Sequence, residues 1–156
     1  MVKRKEAIDG THLFFPAASL ERDRYLPGTY YDENGTAFPL AGKVQVRRDE
    51  DGWTLGGYLE VAFPKPVRFT NDYIIRETGR AGTLAWESVN PALGTLRGTF
   101  EIVGECIVSS YVSDDGIFSG TETLRQLDES TYENIGVSFQ GRKRMSAWTA
   151  LIKATP

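Results

Sequence analysis

Short strand-forming runs separated by turn residues constrain this chain more than any other feature of its sequence. About nine or ten such runs follow one another between residues 29 and 154, at the spacing typical of an antiparallel sandwich or barrel. Glycine- or proline-containing turns separate them, for example at residues 49–52, 90–91 and 114–116. Nearly every connection is short, which favours pairing between sequential strands over the longer crossovers of a Greek key. Because closure removes exposed edges, the sequence predicts an all-β fold, a single antiparallel up-and-down β-barrel of about eight to ten strands.

The N-terminal residues differ in character from the rest of the chain. Residues 16–24 combine a proline suited to a first helical turn with good helix formers, which predicts a short helix that would end at Pro27-Gly28. With 156 residues, the chain has the size of one domain. We therefore predict a single domain over residues 1–156, in which residues 1–24 form an arm with the short helix and residues 25–154 form the barrel.

Charge and cysteine content exclude several classes of partner. A net charge of −3 leaves no basic surface of the kind that binds nucleic acid or anionic membranes. The single cysteine, Cys106, cannot form an internal disulfide, so nothing ties the fold to an oxidising compartment. The apolar run at residues 13–15 is too short for a signal peptide or a membrane span, and Pro16 stops it. We expect a cytoplasmic protein without nucleic-acid or membrane partners.

Several of the predicted strands carry apolar or aromatic residues on both faces. Alternation along one strand places Leu55 and Leu59 opposite Tyr58. In residues 98–112, one face is predicted to hold Phe100, Ile102, Cys106 and Val108. Two explanations stay open at this point: an interior lined by aromatic side chains around a space for one small ligand, or a homodimer that buries one outer face.

Six aromatic residues in different strands are candidates for ligand contacts. Each combines an apolar body with a hydrogen-bonding tip, which suits an amphipathic or planar ligand. They are Tyr58, Tyr73, Trp86, Tyr111, Tyr132 and Trp148. The alternative is that most of them simply fill the barrel.

Glu122 is the candidate for acid–base chemistry. It lies in the middle of a predicted strand, on the same face as Phe118 and Leu124. If that face points inward, the carboxylate lies in an apolar lumen, where its pKa rises and it becomes a candidate general acid or base. The alternatives are an outward or purely structural carboxylate and a ligand contact without catalysis.

Arg76 also occupies a strand position where an unpaired charge would be costly. Opposite a carboxylate it would form a structural ion pair. Facing an empty lumen it would anchor an anionic ligand.

Metal and thiol chemistry have little support in the sequence. His12 and Cys106 are the only residues of their types, and they do not form a ligand set with any known spacing. The acidic clusters at residues 49–51 and 114–115 are typical of solvated hairpin tips. Nucleophilic catalysis through Cys106 would need a neighbouring base, and a buried thiol without a catalytic role is the better interpretation. We predict neither a metal nor a cofactor.

The entry into the first predicted strand resembles that of the calycins, the group of lipocalin, fatty-acid-binding and nitrobindin-like barrels. Pro27-Gly28-Thr29-Tyr30 stands where lipocalins carry Gly-x-Trp, with tyrosine in place of tryptophan, and Arg142 or Arg144 could supply the late basic residue that packs on it. The resemblance covers residues 25–154 and implies a barrel that binds a small molecule; fatty-acid-binding barrels use arginine and tyrosine for this purpose. A nitrobindin-like haem site requires a histidine from a late strand, whereas His12 precedes the barrel.

These observations leave three hypotheses for function. The first is a cytoplasmic barrel that binds an apolar or aromatic small molecule, with an anionic group as one option. The second is a cofactor-free isomerase, cyclase or lyase that uses Glu122 and a tyrosine with support from arginine. The third is a structural barrel with a filled core that dimerises through its outer face. Since barrels of this architecture host binding and catalysis alike, the architecture does not choose among them.

Overall fold

The chain folds into antiparallel β-strands throughout the part that the structure, a computed structural model, describes: residues 23–154. The strands are β1 (Asp23–Tyr25), β2 (Gly28–Tyr31), β3 (Ala37–Arg48), β4 (Gly52–Val61), β5 (Val67–Glu77), β6 (Thr83–Asn90), β7 (Gly94–Val103), β8 (Cys106–Ser113), β9 (Phe118–Asp128), β10 (Thr131–Gln140) and β11 (Lys143–Ala154). Each strand from β2 to β11 pairs with its neighbours in sequence order.

Closure of the barrel depends on the first two strands, which share one position between β3 and β11. β1 pairs with the later part of β3 and the end of β11, whereas β2 pairs with the start of β3 and the middle of β11. Between them, the amide of Leu26 donates to Gly42 and the carbonyl of Pro27 accepts from Leu151, each at 3.0 Å. The result is a closed ten-strand barrel, which confirms the predicted all-β up-and-down fold.

The predicted N-terminal helix is not confirmed. Residues 16–22 lie outside the described residues, and the last two positions of the predicted helix, Asp23 and Arg24, belong to β1. The division into an arm and a barrel within one domain stays a prediction. In residues 23–154 no helix has the length and hydropathy that a membrane span requires.

A tight turn at Gly104 corrects the face predicted for residues 98–112. Gly104 has φ of 60°, in the left-handed region that favours glycine, and the turn pairs Val103 directly with Cys106. Phe100 and Ile102 lie on the inner face, but after the turn the inner face passes to Ile107 and Ser109. Cys106 and Val108 therefore lie on the outer face, because the turn shifts the alternation by one residue.

Strand alternation assigns each side chain to the inner or outer face. On the side of the barrel formed by β3, β4 and the end of β5, the inner face is apolar: Val46 and Ile75 are 0% exposed and Val61 is 1% exposed. Val46 and Ile75 belong to a core that continues around the barrel through Leu84, Ile107 and Ile152. Val61 belongs to a smaller cluster with Leu40 and Ala150. Near β2, Tyr30 packs edge-on against Phe63 at 5.6 Å between ring centroids.

Candidate functional site in the barrel lumen

Glu122 lies on the inner face of β9, at the centre of the candidate site. The residue opposite it on β8 is Ser109 and the residue opposite it on β10 is Gly136. The residue is half-buried, and the surrounding protein removes part of the hydration of its carboxylate.

Burial raises the pKa of Glu122 to about 7, because the charged carboxylate loses hydration in this environment. A hydrogen bond from Asn134 acts in the opposite direction and lowers the pKa. The carboxyl group thus changes its charge near neutral pH. This is the range in which a group can serve as either proton donor or proton acceptor.

Asn134 on β10 connects Glu122 to Trp148 on β11. Asn134 is 3% exposed, and its Oδ1 accepts a hydrogen bond from Trp148 Nε1 at 3.1 Å. Its Nδ2 faces the carbonyl of Thr123 at 3.4 Å and also donates to the Glu122 carboxylate. Because an indole nitrogen can only donate, Trp148 fixes the orientation of the amide, and the amide presents its NH₂ group to Glu122.

An aromatic cluster covers the wall on the other side of Glu122. At its centre is Trp86, whose ring centroid lies 4.9 Å from that of Tyr73, 5.8 Å from Tyr111 and 5.9 Å from Phe100. The indole Nε1 donates to Ser109 Oγ at 3.0 Å. The cluster therefore holds Trp86 by ring contacts and by a hydrogen bond to the residue opposite Glu122.

Two tyrosine hydroxyls lie close enough to Glu122 to sense its charge. Burial and, to a smaller extent, the carboxylate of Glu122 together raise the pKa of Tyr111 to about 12. The pKa of Tyr73 is also raised well above its usual range, chiefly by burial and then by Glu122 and Tyr111. Both phenols keep their protons at neutral pH and can donate hydrogen bonds to a bound molecule or to the carboxylate.

Three inward-facing glycines make room for the large rings. A Cβ on Gly136 would lie 2.1 Å from the Trp148 ring, one on Gly98 2.7 Å from the Trp86 ring, and one on Gly120 2.5 Å from the Tyr111 ring. Each ring lies over the glycine opposite it on the neighbouring strand. A side chain at any of these three glycines would therefore displace the ring that packs over it.

The structure brings four of the predicted aromatic residues to this site and leaves three of the predicted ligand contacts elsewhere. Tyr73 and Tyr111 lie within electrostatic reach of Glu122. Trp86 and Trp148 donate hydrogen bonds to Ser109 and Asn134, the polar residues next to it. Tyr132 faces inward but is buried in the apolar core, on the side where the charge of Arg24 reaches it.

Tyr58 and Arg76 lie on the outer face of the barrel. The guanidinium of Arg68 stacks over the Tyr58 ring at 3.9 Å. Arg76, whose side chain is 52% exposed, pairs with Asp51 at 3.9 Å between nitrogen and oxygen. Of the two alternatives stated for Arg76, the structure shows the ion pair and not an arginine that faces the lumen.

Sequence reasoning missed Ser109, Asn134 and the glycines under the rings. Small and polar residues on predicted strands carry no signal by themselves, since an outward serine or asparagine is ordinary. The available signal was the register: Glu122 lies opposite Ser109 and Gly136, and both pairings follow once the two hairpins are aligned on their turns.

Metal ligands do not cluster in the described chain. Across residues 23–154 no group of three or more histidine, cysteine, aspartate or glutamate residues has a geometry that could hold a metal ion. His12 lies outside the described residues.

Comparisons with known proteins identify a fold and no family. No protein-family model matches the sequence, and no curated protein matches it. Among solved structures, the chain is similar to an S-type phycobiliprotein lyase from Guillardia theta, with a TM-score of 0.64, 89% of this chain and 90% of that chain covered, and 5% identity. At this identity the likeness shows the barrel architecture alone. Membership of one particular calycin family stays a prediction.

Proposed function

We propose that this chain binds a small, planar aromatic molecule in the lumen of its barrel, with Glu122 as the polar contact. The observation that carries the proposal is the position of Glu122, an inward-facing and half-buried carboxylate beside a cluster of four aromatic rings. A side chain that faces inward and still has accessible surface lies next to a space that a ligand can occupy. The rings offer flat apolar contacts, and the carboxylate offers one directional polar contact.

The charge of the wall favours a ligand that donates hydrogen bonds over an anionic ligand. Arg76, the predicted anchor for an anion, lies on the outer face. Arg24 is buried, but its charge acts on Tyr132, and no cation in residues 23–154 is among the causes of the pKa shift of Glu122. We infer that the ligand carries a protonated nitrogen or an N–H group, which a carboxylate accepts in a charge-assisted hydrogen bond.

Paired probes of opposite charge test this function. Proflavine, a planar aromatic cation, and acridine carboxylate, its anionic counterpart, would be titrated against the protein by calorimetry at pH 8, where Glu122 is ionised. We expect proflavine to bind more tightly, and Glu122→Gln to weaken its binding by about ten-fold or more, which is about 1.4 kcal/mol. The matched control is Glu133→Gln, since Glu133 is on the outer face of the neighbouring strand. Equal affinities of wild type and Glu122→Gln for proflavine would remove Glu122 from the site.

Native mass spectrometry of protein purified from its own host supplies the second test. It detects small molecules that copurify with the chain, and it reports whether the protein is a monomer or a homodimer. Cytoplasmic residence is likewise a proposal, and cell fractionation checks it.

An enzymatic role is the second candidate, because the pKa of Glu122 is near 7. A carboxyl group with this pKa can move a proton in either direction at neutral pH, and the phenols of Tyr73 and Tyr111 can stabilise developing negative charge. The same fold serves a lyase in Guillardia theta, so the architecture is compatible with catalysis. The test is exchange of carbon-bound hydrogen for deuterium in a copurified ligand, followed by NMR. Exchange that persists in Glu122→Gln would assign the activity to another group.

A further inference from the structure

The pairing between β5 and β6 covers only half of β5. Five residue pairs join these strands, from Tyr73 opposite Ser88 to Glu77 opposite Leu84. The first half of β5, from Val67 to Asp72, pairs with β4 along its whole length and has no partner on β6 in the described chain. β6 meanwhile stays paired with β7 as far as Asn90 opposite Gly94. The last two residues of β6, Val89 and Asn90, therefore have no partner on β5, so the ladder between the two strands is interrupted at this end of the barrel.

A groove of 790 Å³ lies at this interruption. Its volume is within the range of small-molecule sites. Most of its lining is outward-facing and comes from β3 to β7, with Arg47, Gly56, Asp72, Ile74, Glu87 and Val89 among the lining residues. The lining also includes Tyr73 and Ser88, the last pair before the strands diverge, whose side chains belong to the inner face.

Tyr73 connects the groove with the candidate site. It lines the groove, its ring contacts Trp86 edge-on at 4.9 Å, and it lies within the electrostatic reach of Glu122. The groove and the aromatic cluster therefore share Tyr73. A planar molecule that passes the Tyr73–Ser88 pair would reach the rings without crossing the rest of the barrel.

We propose that this groove is the entrance through which the ligand passes to Glu122, so that the chain loads its lumen from the side, between β5 and β6. The inference rests on the proposed function, since an entrance requires a ligand in the lumen. A completed ladder between these strands would close the wall beside Tyr73 and Ser88, the two inner-face residues that form the last pair and line the groove.

A reversible staple across the gap tests the entrance. Asp72 and Val89 are the neighbours of the last β5–β6 pair, Tyr73 and Ser88, on the side where the ladder ends. Both lie on the outer face, and Val89 is 73% exposed. In a Cys106→Ser background, Asp72→Cys combined with Val89→Cys would place a disulfide across the gap. A second staple, Ser110→Cys with Thr121→Cys, would join β8 and β9 at an exposed pair that is already opposite, and it serves as the matched control.

The readout is the kinetics of proflavine loading, followed by stopped-flow fluorescence. Oxidation of the β5–β6 staple is expected to slow association and dissociation together, each by about ten-fold, while the equilibrium affinity changes little. Reduction should restore both rates, and the β8–β9 staple should change neither. This pattern distinguishes an entrance from a binding contact, because a staple that disturbed a binding contact would change the equilibrium affinity.

Gly56→Trp tests the same entrance without a disulfide. Gly56 lines the groove, and a side chain there would meet only the flexible end of Asp72, whose Oδ1 would lie 3.2 Å from the new Cβ. The indole would fill the groove and should slow loading in the same way. Unchanged loading rates in both the oxidised staple and Gly56→Trp would overturn the entrance. If wild-type protein bound neither probe, the proposed function itself would fail, and that outcome is distinct from normal binding with unaltered kinetics.

Discussion

The inner wall of the barrel has two halves of different chemistry. On β3 and β4 it is apolar, and its buried members include Leu40, Val44, Val46, Leu55 and Val61. On β8, β9 and β10 it alternates apolar residues with polar ones: Ser109, Ser113, Glu122, Asn134 and Ser138. A barrel whose only task is to be stable could be apolar all round, since burying a polar group costs free energy unless it is hydrogen-bonded.

Several polar groups of the second half have hydrogen-bond partners on β6 and β11. Ser109 accepts from Trp86, Asn134 accepts from Trp148, and the hydroxyls of Ser138 and Ser146 lie 2.5 Å apart. Glu122 stands out because its ionised form is penalised by burial. Such a position supports the proposed ligand contact of Glu122. Under that proposal, the contrast between the halves means that the ligand would place its polar edge towards β9 and its apolar edge towards β3 and β4.

The largest effect is expected from filling the space under Trp148. Gly136→Val places a branched side chain where a Cβ alone would lie 2.1 Å from the ring. The ring must leave the wall, which breaks its hydrogen bond to Asn134, so we expect a loss of about 3 kcal/mol or more in the free energy of unfolding. Urea denaturation measures the loss. Ile135→Val, on the adjacent outward and exposed position, is the control and should change stability by less than about 0.5 kcal/mol.

Glu122→Gln is expected to alter how stability depends on pH. The pKa of Glu122 is raised from its ordinary value of 4.5 to about 7, so between these values the unfolded chain releases the proton while the folded chain keeps it. Wild-type stability should therefore fall as pH rises from 4.5 to 7 and level off above that, by about 3 kcal/mol in total. The variant, which has no charge to bury, should lack this fall and be more stable than wild type at pH 8.

Denaturation at pH 4.5, 6 and 8 provides the measurement, and Glu133→Gln is the control because its carboxylate is on the outer face, near Arg125. A wild-type profile that does not differ from that of Glu122→Gln across this range would mean that the carboxylate is not desolvated. The two halves of the wall would then lose the main difference between them.

Val46→Ala tests how much the apolar half of the wall contributes to stability by burial alone. Val46 is 0% exposed, so removing two methyl groups should reduce the free energy of unfolding by about 2 kcal/mol through lost burial and a residual cavity. The loss should be the same at pH 5 and at pH 8, because Val46 packs in an apolar core with residues such as Leu55 and Ile75. A loss that changed with pH would show that the two halves are coupled.

The turns and the alternation of strands made much of this architecture predictable. Residues 49–52 and 114–116 connect strands as expected, and the alternation that placed Tyr58 opposite Leu55 and Leu59 agrees with its position on the outer face. Glu122 could be placed at mid-strand with Leu124 on its face, but the sequence could not show that this face points inward. A slip of one residue exchanges the two faces, and the turn at Gly104 produced such a slip between Phe100 and Cys106.

The partners of Glu122 were missed for a different reason. Ser109, Asn134 and Gly136 act through their cross-strand neighbours, and those neighbours are distant in sequence. Arg76 shows the opposite case. Its charge at a strand position suggested an anchor inside the barrel, but the side chain points outward and forms an ordinary exposed ion pair with Asp51.

The smallest expected change in stability comes from Asn134→Ala. This variant tests whether Asn134 lowers the pKa of Glu122 in addition to accepting the hydrogen bond from Trp148. Removing the amide leaves Trp148 Nε1 without its acceptor, for which we expect a loss of about 1 kcal/mol. It also removes the hydrogen bond that lowers the pKa of Glu122, so that pKa should rise above 7. The decline of stability with pH should then extend to higher pH than in wild type.

Carboxyl resonances of Glu122, followed by NMR between pH 5 and 9, measure the shift of its pKa directly. If the pKa stayed at the wild-type value or fell, Asn134 would be a support for Trp148 alone, and the polar half of the wall would consist of separate pairs without a connection through Glu122.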